Sequence, residues 1–267
     1  MKLATPEDRA GFKRRTGKTI PPAWTDVRIS TDPDAKLMVT GRDAKGRAQS
    51  IYSAQHTAHQ AEVKFQRVRE LAKHTDKLDH AISRDAMVND DAAALMLIRR
   101  LGMRPGSNQN TGAAKQAHGA TNIKAEHVRV NGDEVTLDFT GKKGVHIVLQ
   151  FNDPEIAEVL RVRLQTRGGD AQLFNTNETK VRDYMRSTGT PPEFLLKDLR
   201  TLRANTVALQ QIREMDPPKT KAEFARRRKA VATAVSAQLG NTPAMALSSY
   251  INPTVFNEWV RDESWLS

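Results

Sequence analysis

The chain has three tyrosines, seven histidines and no cysteine, with 42 Lys and Arg against 31 Asp and Glu. Without cysteine there is no thiolate nucleophile, thiolate metal site or disulfide. An oxygen nucleophile acting on a phosphodiester needs cations for the charge that builds on the non-bridging oxygens and an acid for the leaving oxygen. A tyrosine phenolate can attack and, as an aryl ester, can also leave. Arginine spans two phosphate oxygens, and lysine shifts its acidity readily when desolvated. Tyr250 follows Leu239-Gly240-Asn241-Thr242-Pro243, where Gly240 can close one helix and Thr242-Pro243 open a short next one. It then precedes the break Asn252-Pro253. Taken singly this is most simply a packing tyrosine.

Among the 42 Lys and Arg, three stretches are singled out by the resemblance given below: Ile98-Arg99-Arg100-Leu101-Gly102, Phe139-Thr140-Gly141-Lys142 and Lys197-Asp198-Leu199-Arg200-Thr201, the last followed by Asn205. Each alone also fits a solvated helix face or a solvated turn. The histidines at 56, 59, 74, 80, 118, 127 and 146 form no His-Glu-x-x-His pattern, and no Walker loop occurs. No metal and no nucleotide cofactor is expected.

The elements that must position these residues fall into two parts. Short strand-like runs at 27–30, 36–40 and 49–53 are separated by Asp32-Pro33-Asp34 and by the basic turn Gly41–Arg47. From about Thr57 the pattern turns helical, with Val63, Val68, Leu71 and Leu78 recurring among charges. The boundary is expected between Ser53 and Asp79, giving a β-domain over 1–70 and a catalytic domain over 71–267. In the second part a helix is expected over 92–101. Three antiparallel strands follow at 127–130, 135–140 and 145–151, joined by Asn131-Gly132 and by the Gly141–Gly144 turn. A helix starts at Asp153-Pro154-Glu155, and further helices are expected over 180–187, 196–214, 221–239 and 254–265. Trp259 and Trp265 read as core anchors. The expected fold class is α+β, a small β-domain and a larger, mainly helical domain with a three-stranded hairpin sheet.

A net charge of +11 raises the local concentration of polyanions, so nucleic acid is the leading partner. No apolar run reaches the 18 or so residues of a membrane span, and the N-terminal stretch lacks the apolar core of a secretory signal. A cytoplasmic location is expected, at the nucleoid if the source is bacterial.

The run from Leu239 to Tyr250 closely resembles the nucleophile segment of the type IB DNA topoisomerases, especially the poxviral and bacterial enzymes. Lys197–Thr201 resembles the same family's Lys-Asp-Leu-Arg-Thr motif. Ile98–Gly102 resembles its Ile-Arg-Phe-Gly segment, and Phe139–Lys142 its lysine-bearing hairpin. Pro21-Pro22-Ala23-Trp24-Thr25-Asp26-Val27 and Gly41–Gln49 look like its β-domain signatures. In all, the resemblance runs in order from Pro21 to Asn252.

The resemblance implies a catalytic set of Tyr250, Arg100, Lys142, Arg200 and Asn241, supported by Lys197 and Asn205. Arg99 competes with Arg100, and Lys143 with Lys142, for the implied roles. Gln49, Tyr52, Arg42, Lys45 and Arg47 would touch DNA, although Ser50 stands where poxviral enzymes have a tyrosine. The implied activity is relaxation of supercoiled duplex DNA through a 3′-phosphotyrosyl intermediate, by a monomer closing as a clamp, without ATP or metal. A tyrosine recombinase is the nearest alternative, though it usually carries His-x-x-Arg at the Lys197–Arg200 position. A DNA-binding architectural protein with no activity is the other.

Overall fold

The computed structural model describes residues 1–108, 116–260 and 265. The chain divides into two compact units, Met1–Gln66 and Arg67–Ser267. Its architecture is mixed, mostly helical with two small antiparallel sheets.

The first unit holds β1 (Lys2–Leu3), α1 (Pro6–Thr16), β2 (Thr25–Ile29), β3 (Leu37–Arg42) and β4 (Ala48–Tyr52). The strands form one antiparallel sheet in chain order. Alternation puts Val27 and Ile29 inward, where they meet Phe12, Ile20, Met38 and Val39. Gly41 lets Trp24 lie on the sheet, since a Cβ there would sit 2.9 Å from Trp24 Cε3. The sequence reading did not anticipate α1, because Phe12 is its sole buried residue and no apolar stripe marks it. Its start is set instead by Thr5 and Asp8, which cap each other's backbone N–H.

α2 (Ala54–Ala72) runs from the first unit into the second. The second unit continues with α3 (Thr75–Asp85), α4 (Asp90–Leu101), β5 (Val128–Asn131), β6 (Glu134–Thr140), β7 (His146–Asn152), α5 (Pro154–Thr166), α6 (Glu178–Ser187), α7 (Leu196–Arg213), α8 (Lys221–Leu239) and α9 (Pro243–Ser249). Asn89 caps α4 and Asp153 caps α5. α4 is the hub: every residue from Ala92 to Ile98 is buried. A second apolar cluster joins α7, α8 and α9 through Ala204, Ala208, Val231, Val235 and Ala246, with Phe224, Phe256 and Trp259.

One expected element differs. The α-helix expected over 254–265 is a 3-10 helix, Pro253–Trp259. Phe256 and Trp259 are both buried, and their spacing of three residues puts them on one face at three residues per turn. Residues 261–264 of that expected helix lie outside the described residues. Trp265 packs its ring 5.8 Å from Phe224.

Candidate active site

Tyr250 terminates α9. Thr242 caps that helix by accepting from Met245 N at 3.2 Å, and Pro243 occupies its first turn. Tyr250 N still reaches Ala246 O at 3.0 Å, but its own backbone has left the helix. Asn205 of α7 fixes this exit from both sides. Its Nδ2 donates to Tyr250 O at 3.0 Å, and its Oδ1 accepts from Asn252 N at 2.8 Å.

The Tyr250 ring is half-buried, with the Arg200 Cζ 5.1 Å from its centroid. Arg104 Nη2 donates to the phenolic oxygen at 3.2 Å. Burial pushes the phenol's pKa up, but the charges and hydrogen bonds of Arg200 and Arg104 outweigh it, leaving the value below the usual 10.0. The other tyrosines differ. Tyr184 is pushed well up by burial and by its hydrogen bond to Asp85 Oδ2 at 2.8 Å. Tyr52 is 43% exposed, in the first unit.

Arg200 is buried, and among the described residues it has no carboxylate partner. Its Nη1 donates to Gly102 O and its Nη2 to Leu239 O, the latter at 2.6 Å. Those carbonyls end α4 and α8, where Gly102 (φ 70°) and Gly240 (φ 57°) turn the chain in the left-handed conformation. Unpaired helix-terminal carbonyls carry partial negative charge, so two helix ends hold this guanidinium while leaving it a full cation. Its Nε is buried and has no hydrogen-bond partner among the described residues. Asn241, next to Gly240, has side-chain Nδ2 and Oδ1 both buried and unpaired among the described residues. Buried amides rarely stay unsatisfied, so this one has both a donor and an acceptor to offer.

Lys142 is exposed in the turn between β6 and β7. Gly141 N bonds Val145 O at 2.7 Å, and Lys143 takes a left-handed φ of 65°. Lys142, Arg104, His118, Arg200 and Gln238 line one cavity of about 20 Å³. Lys197 is exposed on the first turn of α7. Its neighbour Asp198, 1% exposed, pairs with Arg67 through two 2.8 Å bonds and accepts from Leu195 N at 3.0 Å. The Lys-Asp-Leu-Arg run thus locks the start of α7 as well as presenting Arg200.

Arg100 is not brought to Tyr250. It is bound to Glu155 at 2.5 Å, Asp153 at 3.3 Å and Ser83 Oγ at 3.0 Å. Arg99 pairs with Asp79 at 2.7 Å. Both belong to the last turn of a buried helix, where charges take carboxylate partners. The arginine that does reach the phenol is Arg104, which the sequence reading passed over. The available signal was its place in Met103-Arg104-Pro105-Gly106, just past the helix stop at Gly102 and before a Pro-Gly turn.

In the first unit the basic turn is organised by Asp43. It accepts from Lys45 N at 2.9 Å, from Arg47 Nε at 2.8 Å and from Gln49 Nε2 at 2.9 Å. Arg47 beside it holds the carboxyl at about 2. Arg42 donates to Gly46 O at 2.9 Å, and Tyr52 stacks on His56 with centroids 5.1 Å apart. Among the described residues, no helix is long and apolar enough to cross a membrane, and no three His, Asp or Glu are placed to hold a metal ion.

Residues 53–256 match the family model for the eukaryotic DNA topoisomerase I catalytic core, and residues 4–43 that for the bacterial DNA topoisomerase IB N-terminal domain. The chain is 26% identical over 275 residues to DNA topoisomerase 1B of Acanthamoeba polyphaga mimivirus, covering 91% of this chain and 81% of that one. It is 26% identical over 278 residues to DNA topoisomerase 1B of Vaccinia virus (strain Copenhagen), covering 97% of this chain and 85% of that one. A weaker likeness in three dimensions is to the XerH site-specific recombinase bound to difH substrate, with a TM-score of 0.45 and 16% identity over 70% of this chain and 51% of the other. With the family model spanning most of its length, the chain belongs to the type IB DNA topoisomerases.

Proposed function

We propose that this topoisomerase relaxes supercoiled duplex DNA by reversible transesterification at Tyr250. The phenolic oxygen attacks a backbone phosphorus, the P–O5′ bond breaks, and the strand is held as a 3′-phosphotyrosyl ester. The phenol's proton passes to solvent, and Lys142 gives a proton to the departing 5′-oxygen. After the free end has rotated, the 5′-hydroxyl attacks the phosphotyrosine and the steps reverse. One ester replaces another, so no nucleotide is needed to drive the cycle.

The observation that carries this reading is the convergence on one phenol of Arg104 at 3.2 Å and Arg200 at 5.1 Å from the ring centroid. Both arginines favour the phenolate and face the charge that grows on the non-bridging oxygens. The unpaired amide of Asn241 supplies a further donor there. Arg104 takes the first arginine's part in place of Arg100, whose guanidinium is committed to Asp153 and Glu155. Asn205 supports the tyrosine through its backbone, and exposed Lys197 supports it by contacting the DNA backbone. In the β-domain, Arg42, Lys45, Arg47, Gln49 and Tyr52 meet the duplex, the two domains closing on it as a monomeric clamp. Such an enzyme works where the DNA is, in the cytoplasm and at the nucleoid of a bacterial host.

The test is relaxation of supercoiled plasmid with EDTA present and ATP absent. Wild type should relax it, while Tyr250→Phe should bind the plasmid and leave it supercoiled. Relaxation by that variant, or dependence of wild type on Mg²⁺, would overturn the proposal.

A further inference from the structure

We infer that His118 is a positioning residue for this reaction, holding the Arg104 loop against the strand that leads into the Lys142 turn. This rests on the reading of Arg104 given above. Residues 118–121 lie between the two. On one side His118 N donates to Thr140 O at 2.8 Å, two residues before Lys142. On the other, Ala120 N donates to Arg104 O at 2.8 Å and Thr121 N to Pro105 O at 2.6 Å.

His118 lines the same cavity as Arg104, Lys142 and Arg200. Its Nδ1 lies 2.8 Å from Asn122 O. A carbonyl can only accept, so Nδ1 carries the proton and the tautomer is set. The ring meets His127 edge-on, centroids 4.4 Å apart, and His127 lies 6.3 Å from Phe139 of β6. The side chain therefore joins the loop to the hairpin strand a second time, independently of the backbone bonds.

Its anchor is itself rigid. Asn122 is 3% exposed, accepts from Gly119 N at 2.7 Å, and donates to Ser107 O at 3.0 Å and Ala117 O at 3.1 Å. The segments cross so closely that a Cβ on Gly119 would lie 2.6 Å from Gly106 N. Among the described residues, His118 shares with Arg104 the cavity that Lys142 and Arg200 also line. Removing its hydrogen bond gives the Arg104 guanidinium room to drift from the phenol, and misplacement of about 1 Å typically costs ~10²-fold in rate.

The experiment measures single-turnover cleavage of a duplex, DNA affinity and thermal melting for His118→Phe, His118→Asn, Arg104→Ala and the double variant His118→Phe/Arg104→Ala. His118→Phe keeps the ring edge but has no donor, and should cleave roughly 10- to 100-fold slower with unchanged affinity. His118→Asn keeps a donor for Asn122 O and should recover most of the rate, whatever its melting temperature. The double variant should cleave no slower than Arg104→Ala, because His118 acts through that arginine. Should His118→Phe fail to fold, His118→Leu takes its place in the comparison. Wild-type cleavage by His118→Phe, no recovery by His118→Asn, or defects that multiply in the double variant would each overturn the inference. Wild-type cleavage by Arg104→Ala would instead remove the reading of Arg104 on which it rests.

Discussion

Arg104 donates from Nη2 to the Tyr250 phenolic oxygen at 3.2 Å, while Arg100, one helical turn earlier in the chain, is held by Asp153 and Glu155. The two arginines are therefore expected to fail differently. Arg104→Ala should slow covalent adduct formation about 10²- to 10³-fold, the usual loss for one charge-stabilising donor. Arg100→Ala should leave that rate within a few-fold and lower the melting temperature, because it strips the cation from two carboxylates. Single-turnover adduct formation and a thermal melt on both variants check this, and a reversal of the two patterns would contradict it.

Cleavage should carry an alkaline limb lying below the ordinary phenol value of 10.0, because Arg200 and Arg104 overcome the effect of burial on Tyr250. Losing Arg104 raises the phenol's pKa, so the limb should move to higher pH in Arg104→Ala and stay in place in Arg100→Ala. The sign in folding is separate. A depressed folded value stabilises the protein fully above pH 10.0 and ceases to do so once the pH has fallen through that value. Melting at neutral pH should therefore not register it. A rate profile of Arg104→Ala superimposing on that of wild type would show that the arginine does not act on the phenol.

The architecture was legible in residues whose spacing has one physical meaning. The alternation of Val135, Leu137 and Phe139 marks β6, and Asp153 followed by Pro154 marks the start of α5. Tyr250, Arg200 and Asn241 were singled out by the resemblance of Leu239–Tyr250 and Lys197–Thr201 to the type IB segments; the residues themselves marked only the helix boundaries at Gly102, Gly240 and Thr242, written in glycine, threonine and proline. Arg104 was not, since it lies past the helix with no periodicity around it and is held in place by tertiary bonds such as those of Ala120 N to Arg104 O and Thr121 N to Pro105 O. α1 escaped for the opposite reason, being a helix with a single buried side chain.

A side chain at Gly102 should cost stability, chiefly through the backbone conformation. The glycine's φ of 70° is left-handed, and a Cβ would stand 2.7 Å from Leu239 Cδ2 and 3.3 Å from Arg203 Cγ, at the residue whose carbonyl helps hold Arg200. Gly102→Ala is expected to cost about 1–2 kcal/mol of stability, from the backbone conformation and the clash together. It should also slow cleavage, since Arg200 loses its mount. Urea unfolding and single-turnover cleavage check the pair of effects, and a variant as stable as wild type would contradict the packing described.

Asn205→Ala removes the bonds to Tyr250 O and Asn252 N together. A nucleophile displaced by about 1 Å typically loses ~10²-fold in rate, so cleavage should fall by that order with DNA affinity unchanged. Asn205→Asp keeps the acceptor for Asn252 N and loses only the donor, and should lie between the two. An Asn205→Ala enzyme with normal cleavage and weakened DNA binding would place Asn205 on the DNA instead.

Lys142 as the proton donor makes a prediction that depends on the leaving atom. Loss of a general acid typically slows a reaction about 10²- to 10⁴-fold. A bridging 5′-sulfur at the scissile bond leaves as a stable thiolate and needs no proton. Lys142→Ala should cleave that substrate nearly as fast as wild type while remaining slow on ordinary DNA. Arg200→Ala should gain nothing from the sulfur, because its charge serves the non-bridging oxygens. Equal defects on both substrates for Lys142→Ala would remove the acid role, and rescue of Lys143→Ala instead would move it one residue along the turn.

Covalent attachment of DNA to Tyr250 can be trapped and mapped. A duplex labelled on one strand is mixed with the enzyme and denatured, the protein is digested, and the labelled peptide is sequenced by mass spectrometry. The expected result is a nucleotide joined through its 3′-phosphate to the peptide containing Tyr250, a free 5′-hydroxyl on the other fragment, and no adduct with Tyr250→Phe. An adduct on Tyr52 or Tyr184, a link through a 5′-phosphate, or an adduct that survives Tyr250→Phe would contradict the account.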